Sequence, residues 1–206
     1  PVGTQGNLPK TMDDMPFDDR LVLKSKQGRR VFGVDLKIVN EDGVRVPHDG
    51  KATGEVFVRG NTITPGYFHN VQASEAAFDA EGWFGTGDIA SIDLDGFLTI
   101  TDRAKDLIKS GGEWISSIDL ENVVMAHPQV ASCAVIAVPH PKWDERPIIV
   151  AVKAEGADPS EEEIIATFTD KVAKWQMPDA VVFTDAIPLN GTGKMLKNKL
   201  QAQAMM

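Results

Sequence analysis

Three features of this 206-residue chain predict an α+β fold in two successive parts. The first half runs in short alternating apolar and polar stretches broken by turn residues, the pattern of half-buried strands. The second half interleaves continuous β-branched runs with amphipathic segments that carry helix-cap residues. The order of those later segments, β-α-β-β-α-β, describes a compact mixed module of roughly 100 residues, within the usual size of a domain.

The opening "PVGTQGNLPKTMDDMPFDDR" (1–20) has no initiator methionine, no apolar periodicity and many turn residues, and reads as an interior loop of something longer. "VDLKIVN" (34–40) alternates as a strand does, and "EDG" follows it as a turn. "GEVFVRG" (54–60) is a second alternating strand, and "VQASEAAFDAEGW" holds a short helix over Gln72–Phe78. "DIASIDLDGFLTITDR" (88–103) is a strand, an Asp-Gly turn and another strand, which predicts a hairpin. "TDRAKDLIKSGGEWIS" (101–116) is polar, charged and contains Gly111-Gly112, so the boundary is placed there, with parts 1–103 and 104–206, and the stretch reads as linker, hinge or loop.

In the second part, "SSIDLENVVMAHP" (116–128) is a helix capped by Ser116, with Leu120, Val123 and Val124 on one face and Pro128 as its stop. "ASCAVIAVP" (131–139) and "PIIVAVKA" (147–154) are continuous β-branched runs, hence buried strands. "SEEEIIATFTDKVAKWQ" (160–176) is predicted as one amphipathic helix, with a Ser160/Glu163 capping box and Ile165, Phe168, Val172 and Trp175 along its apolar stripe. "AVVFTDAIP" (180–188) holds a short strand, and a terminal helix covers Met195–Ala204.

The net charge of −9 is spread evenly, with 11 basic and 16 acidic residues in 1–104 and 10 and 14 in 105–206. Neither half is basic, which argues against general nucleic-acid or anionic-membrane binding but leaves room for a polyphosphate held by a few local cations. No apolar run reaches the roughly 18 residues a membrane helix needs. The single cysteine, Cys133, can make no internal disulfide, so a reducing, cytoplasmic compartment is expected, and its apolar neighbours make it a core residue. The four histidines show no metal-ligand spacing, so no metal site is expected.

Three polar stretches could carry chemistry. In "GWFGTGDIA" (82–90) glycines bracket Thr86 and free the backbone for close approach, and Asp88, read as opening a strand, could accept hydrogen bonds from a vicinal diol; it could equally be a turn aspartate. "DRAKDLIKSGGEW" places Arg103, Lys105 and Lys109 before a Gly-Gly pair, a combination suited to an anion or simply a charged linker. "IPLNGTGKMLK" (187–197) looks like a phosphate loop but has Pro188 where a Walker loop needs its first glycine and Met195 where it needs Ser or Thr. It is therefore a flexible Gly-Thr-Gly turn followed by Lys194.

Taken together and in order, "GYFHN" (66–70), "GWFGTGD" (82–88), "TDRAKDLIKSGGEWIS" (101–116) and "PLNGTGK" (188–194) resemble the adenylate-forming (AMP-binding) enzymes. "DRAKDLIKSGGEWISSIDLEN" with "VPHPKWDERP" (138–147) is most similar to their fatty-acyl-CoA synthetase branch, including medium-chain and methylmercaptopropionate-type ligases. The resemblance implies a strand-rich tail of the large AMP-binding domain over 1–103 and a small mobile domain over 104–206. It also implies that an upstream part of the large domain precedes the chain, since "PVGTQG" resembles the segment just after that domain's Thr-Glu motif. The implied reaction joins a carboxylic acid to AMP, with ATP and Mg2+ as the nucleotide substrate, then passes the acyl group to coenzyme A.

By resemblance, Asp88 binds the ribose hydroxyls, Arg103 contacts ribose or phosphate, Lys105 is the hinge, and Lys194 is the mobile lysine of adenylation. Gly111, Gly112, Glu113 and Trp114 form the loop of the thioester step. Two positions depart from the family pattern: Gly85 stands where an arginine is frequent, and Asn190-Gly191 where Thr and a small residue are usual. A fragment lacking most of the large domain is expected to be inactive alone and to expose apolar surface, which favours self-association, including a homodimer. Two other readings remain open: a non-catalytic nucleotide- or subunit-binding module, and an adenylating enzyme whose acceptor is a carrier-protein thiol.

Overall fold

The computed structural model describes residues 3–8, 10–12 and 14–204, which form two compact units divided between Ala104 and Lys105. Of the predicted opening loop, residues 1, 2, 9 and 13 lie outside the described residues.

In the first unit, strand β1 (Thr4–Gln5) pairs antiparallel with β2 (Arg29–Arg30), and helix α1 (Phe17–Ser25) lies between them in sequence. The expected loop is thus partly ordered structure. Helix α1 escaped prediction because it buries no residue: Phe17, Leu21 and Val22 are all exposed, so no core stripe marks it. Its start is electrostatic instead, with Asp18 and Asp19 in the first turn and Lys24 in the last, each complementing the helix dipole.

Four strands then make an antiparallel meander in the order β3 (Val34–Val39), β4 (Gly54–Gly60), β5 (Phe84–Ile92) and β6 (Leu98–Arg103). Helix α2 (Val71–Ala76) sits between β4 and β5 in sequence, and the Asn70 side chain caps it by accepting from Ala73 N–H. Alternate residues Val34, Ile38, Val56, Val58, Ala90, Ile92 and Leu98 form the core of this unit. Close backbone approach explains the glycine that ends β4: a Cβ on Gly60 would lie 2.2 Å from the Gly33 carbonyl oxygen.

The second unit contains β7 (Ile108–Ser110), β8 (Glu113–Ile115), α3 (Ser117–Met125), β9 (Val130–His140), β10 (Asp144–Lys153), α4 (Glu161–Ala166), β11 (Ala180–Phe183) and α5 (Lys197–Ala204). Its sheet runs β11-β10-β7-β8, with the long strand β9 also paired to β10; only β10 and β11 are parallel. Both faces are covered. Cys133, Val135 and Ala137 of β9 join a core with Leu120 and Val124 of α3 and Ile164 of α4, while Ala134 and Ile136 join another with Ile187 and Leu200 of α5. Burial on two faces is why this strand reads as an unbroken apolar run.

Two expectations are corrected. The stretch read as linker, hinge or loop contains the β7–β8 hairpin. The helix expected over 160–176 begins with its Ser160/Glu163 capping box but stops at Ala166. There the Thr167 hydroxyl donates to the Ile164 carbonyl at 2.6 Å, and Asp170 takes a left-handed φ of 62°, both of which oppose continued helix. Val172 still packs half-buried against the same core as Phe168, but Trp175 falls in a separate 3-10 turn, half exposed instead of buried.

Candidate functional site

In the first unit, strands β5 and β6 place Asp88 directly opposite Arg103 in antiparallel register, with Arg103 Nε 3.1 Å from Asp88 Oδ1. The strand begins at Phe84, so Asp88 lies within it and does not open it. The turn before Asp88 is held from three sides. The Thr86 hydroxyl donates to the Val56 carbonyl at 3.1 Å and accepts from Asp88 N–H at 3.2 Å, and the Gly87 carbonyl accepts from Ala104 N–H at 2.9 Å. Gly87 adopts a φ of 71°, which favours glycine. The buried Asp102 carboxylate accepts the Arg103 N–H at 2.7 Å. The result is a fixed, partly exposed acid–cation pair able to offer acceptors to hydroxyls and a guanidinium to an anion. Gly85 is explained by packing: a Cβ there would sit 3.2 Å from the Phe57 ring, which occupies the space a longer side chain would need.

Lys105 is the first residue of the second unit and lies exposed in a turn. After it, Gly111 and Gly112 form the two-residue turn of the β7–β8 hairpin, with φ of 62° and 89°. A hairpin turn of this kind requires both residues left-handed, hence the glycine pair. Gly111 N–H donates to the Trp143 carbonyl at 2.9 Å, and a Cβ on Gly111 would lie 3.0 Å from the Trp143 ring. Glu113 and Trp114 are exposed on β8, and Lys109 Nζ lies 5.6 Å from the Trp114 ring centre.

Beside this turn is a cleft of about 380 Å³ whose lining includes Gly111, Glu113, Trp143, Arg146, Lys174 and Trp175. Arg146 is its scaffold. Its guanidinium donates to Asp179 Oδ1 at 2.9 Å, Ser110 Oγ at 3.0 Å, the Trp175 carbonyl at 2.7 Å and the Met177 carbonyl at 2.6 Å. The cleft is not legible in the sequence: Trp175 falls on a predicted helix face, and Arg146 lies in "VPHPKWDERP" (138–147), which carries only the resemblance.

Lys194 is exposed on a tight hairpin in which Leu189 bridges Met195. The turn is not the flexible glycine loop expected. The Asn190 side-chain oxygen accepts from Thr192 N–H at 2.9 Å, Thr192 O–H at 2.8 Å and Lys194 N–H at 2.9 Å. The backbone adds Asn190 N–H to Lys194 O at 2.8 Å and Gly193 N–H to Asn190 O at 3.0 Å. Just below, Lys197 at the start of α5 is largely but not fully buried, with Nζ 2.6 Å from Glu121 Oε1 and 2.7 Å from Ser117 Oγ on α3. Glu121 Oε1 also accepts from Val135 N–H at 2.8 Å.

Cys133 lies over this anchor, its Sγ 3.6 Å from the Glu121 carbonyl. Burial foremost, then the Glu121 charge, pushes its thiol pKa up to about 12, so it is a core residue and not a nucleophile. Among the described residues no group of three or more His, Cys, Asp or Glu side chains could hold a metal ion, and no helix is long and apolar enough to cross a membrane.

Residues 119–194 match the AMP-binding enzyme C-terminal domain. The chain is 55% identical over 202 residues to 3-methylmercaptopropionyl-CoA ligase of Ruegeria lacuscaerulensis, a match spanning 98% of this chain and 37% of that protein. It is 49% identical over 201 residues to medium-chain-fatty-acid–CoA ligase of Ectopseudomonas oleovorans, spanning 98% of this chain and 36% of that protein. The chain thus covers little more than a third of the length of these relatives. Among solved structures, ATP-bound MatB from Rhodopseudomonas palustris superposes with a TM-score of 0.79 at 31% identity, covering 87% of this chain and 35% of that one. The o-succinylbenzoate CoA synthetase of Bacillus subtilis, solved with its acyl-adenylate intermediate, gives 0.79 at 32% identity, covering 89% and 37%.

Proposed function

Since the chain belongs to the adenylate-forming, AMP-binding family, we propose that the protein carrying it is an acyl-CoA ligase of the fatty-acid branch. In the first half-reaction a carboxylate oxygen bonds to the α-phosphorus of ATP and pyrophosphate leaves. In the second, the thiol of coenzyme A, losing its proton, bonds to the acyl carbon and AMP leaves. Magnesium enters bound to the ATP phosphates, as part of the substrate.

The observation that carries this reading is the 55% identity to a CoA ligase, which runs through both units over 98% of the chain. Residues 1–103 act as the end of the large nucleotide domain, where Asp88 holds the ribose hydroxyls and Arg103 the ribose or phosphate side. Residues 104–206 act as the small mobile domain, with Lys105 as its hinge. Lys194 serves adenylation: its ammonium stabilises charge building on the α-phosphate as two anions are brought together. Gly111, Gly112, Glu113 and Trp114 serve the thioester step, in which the thiol needs the carbonyl uncovered. The cleft beside Gly111 supports this assignment, since Trp143 and Trp175 offer ring faces to a planar base and Lys174 a cation to phosphate. One domain presenting two loops in turn meets the opposed needs of the two steps. The lone buried cysteine fits a cytoplasmic enzyme. Exposed Phe17, Leu21, Phe32 and Phe68 suit cover by more of the large domain or by a second copy in a homodimer.

In the complete protein, Lys194→Ala slows ATP–pyrophosphate exchange by about 10²–10³-fold, the usual consequence of losing one preorganised charge contact. Thioester formation from supplied acyl-adenylate persists in the same variant. Equal loss of both half-reactions would remove the lysine from its assigned role. The 206-residue chain by itself shows no exchange above background, and measurable exchange in the purified chain would contradict its dependence on further large-domain residues.

A further inference from the structure

We propose that Asn190 is a positioning residue for Lys194, setting the backbone from which the lysine reaches the reacting phosphate. The inference rests on the adenylation role given above to Lys194.

The starting point is the number of donors on one side-chain oxygen. Asn190 Oδ1 accepts Thr192 N–H, Thr192 O–H and Lys194 N–H, all between 2.8 and 2.9 Å. Backbone bonds across the same five residues fix Asn190 to Lys194 and to Gly193. Among the described residues no side-chain packing holds the tip of this turn: a Cβ on Gly191 or Gly193 would meet no atom within 4 Å, and residues 189–195 are all exposed. With two glycines and no packing, the tip would sample many conformations if the Asn190 oxygen were removed. An unpacked loop does not need three bonds to one side chain for stability of the core, which lies elsewhere.

From the turn, order passes down the chain without a break. Leu189 pairs with Met195, Leu196 N–H donates to the Pro188 carbonyl at 2.8 Å, and Lys197 follows, held by Glu121 and Ser117. The Lys194 main chain is thus fixed from a largely buried ion pair at one end and from Asn190 at the other. Only its side chain is left free to move, which is what a lysine that must find a developing charge needs. The departure from the family's usual Thr at this position is, on this view, a working substitute: the carboxamide oxygen reaches the same turn donors a hydroxyl would cap.

The test compares Asn190→Ala and Asn190→Asp in the complete protein, with Lys194→Ala alongside. Asn190→Ala lowers kcat of the adenylation half-reaction by about 10–100-fold, the scale of a small misplacement of a reacting group. KM for ATP and thioester formation from supplied acyl-adenylate stay unchanged, as does the melting temperature. Asn190→Asp, which keeps the accepting oxygen, restores most of kcat. In the 206-residue chain, amide exchange at Thr192 and Lys194 accelerates in Asn190→Ala and not in Asn190→Asp. Unchanged adenylation in Asn190→Ala, equal slowing of both half-reactions, or failure of Asp to rescue overturns the positioning role. If Lys194→Ala abolishes adenylation while Asn190→Ala does not, only the positioning role is lost. If Lys194→Ala itself spares adenylation, the assignment of Lys194 is lost and the role of Asn190 with it.

Discussion

Lys194 and Lys197 stand three residues apart in the chain, one on a hairpin turn and one at the start of α5, and live in opposite surroundings. Lys194 is exposed, and among the described residues its ammonium has no hydrogen-bond or ion-pair partner. Lys197 is only 11% exposed at its side chain, pairs with Glu121 at 16%, and also donates to Ser117. The difference teaches how a mobile charge is delivered: one lysine is largely buried and fully engaged so that the hairpin carrying the other has a fixed root.

The largest effect that would break this comparison is on stability. Lys197→Met takes the neutralising ammonium from the largely buried Glu121 carboxylate and is expected to destabilise the 105–206 unit by about 3 kcal/mol, read by urea unfolding. The double variant Lys197→Met with Glu121→Leu recovers part of that loss, because Val135 N–H then lacks its acceptor. Ser117→Ala removes one bond to a charged donor and costs about 1–3 kcal/mol in the same measurement.

A pH effect belongs to the same buried region. The Cys133 thiol titrates near 9 in an ordinary setting and is raised to about 12 in the fold, with burial as the main cause. The folded state therefore keeps its proton where the unfolded state loses it. Its contribution to stability is complete below about pH 9 and is lost as pH rises towards about 12. Cys133→Ala flattens that decline in unfolding experiments between those limits, and a native thiol at pH 8 does not react with a thiol reagent until the unit unfolds. The smallest effect sharpens the contrast: Lys194→Met changes stability by no more than about 0.5 kcal/mol, as expected for an exposed, unpaired side chain. A destabilisation near that of Lys197→Met would erase the distinction.

Much of the fold was legible because periodicity reports burial. The strands at 34–39 and 54–60, the β5–β6 hairpin, the doubly buried β9 and β10, and the capped start of α3 all follow from which faces meet the core. Where no regular apolar stripe marks an element, its sequence does not predict it. Helix α1 has no buried face, and the β7–β8 hairpin hides its short strands within a charged stretch. The helix from Glu161 was overextended because apolar spacing continued beyond the point where Thr167 and Asp170 ended it.

The candidate site divides in the same way. Residue types in order along the chain determined by themselves that Asp88, Arg103, the Gly111-Gly112 pair and Lys194 are the places to look, because glycines and charges in turns are a local property. Only the tertiary structure decided that Asp88 faces Arg103 across a strand pair, that Arg146 organises a cleft beside Gly111, and that Lys197 pairs with Glu121, largely buried, while Lys194 is exposed. Strand register and helix docking bring together groups far apart in the chain, and their partners are chosen by packing and by the cost of leaving a buried charge unpaired.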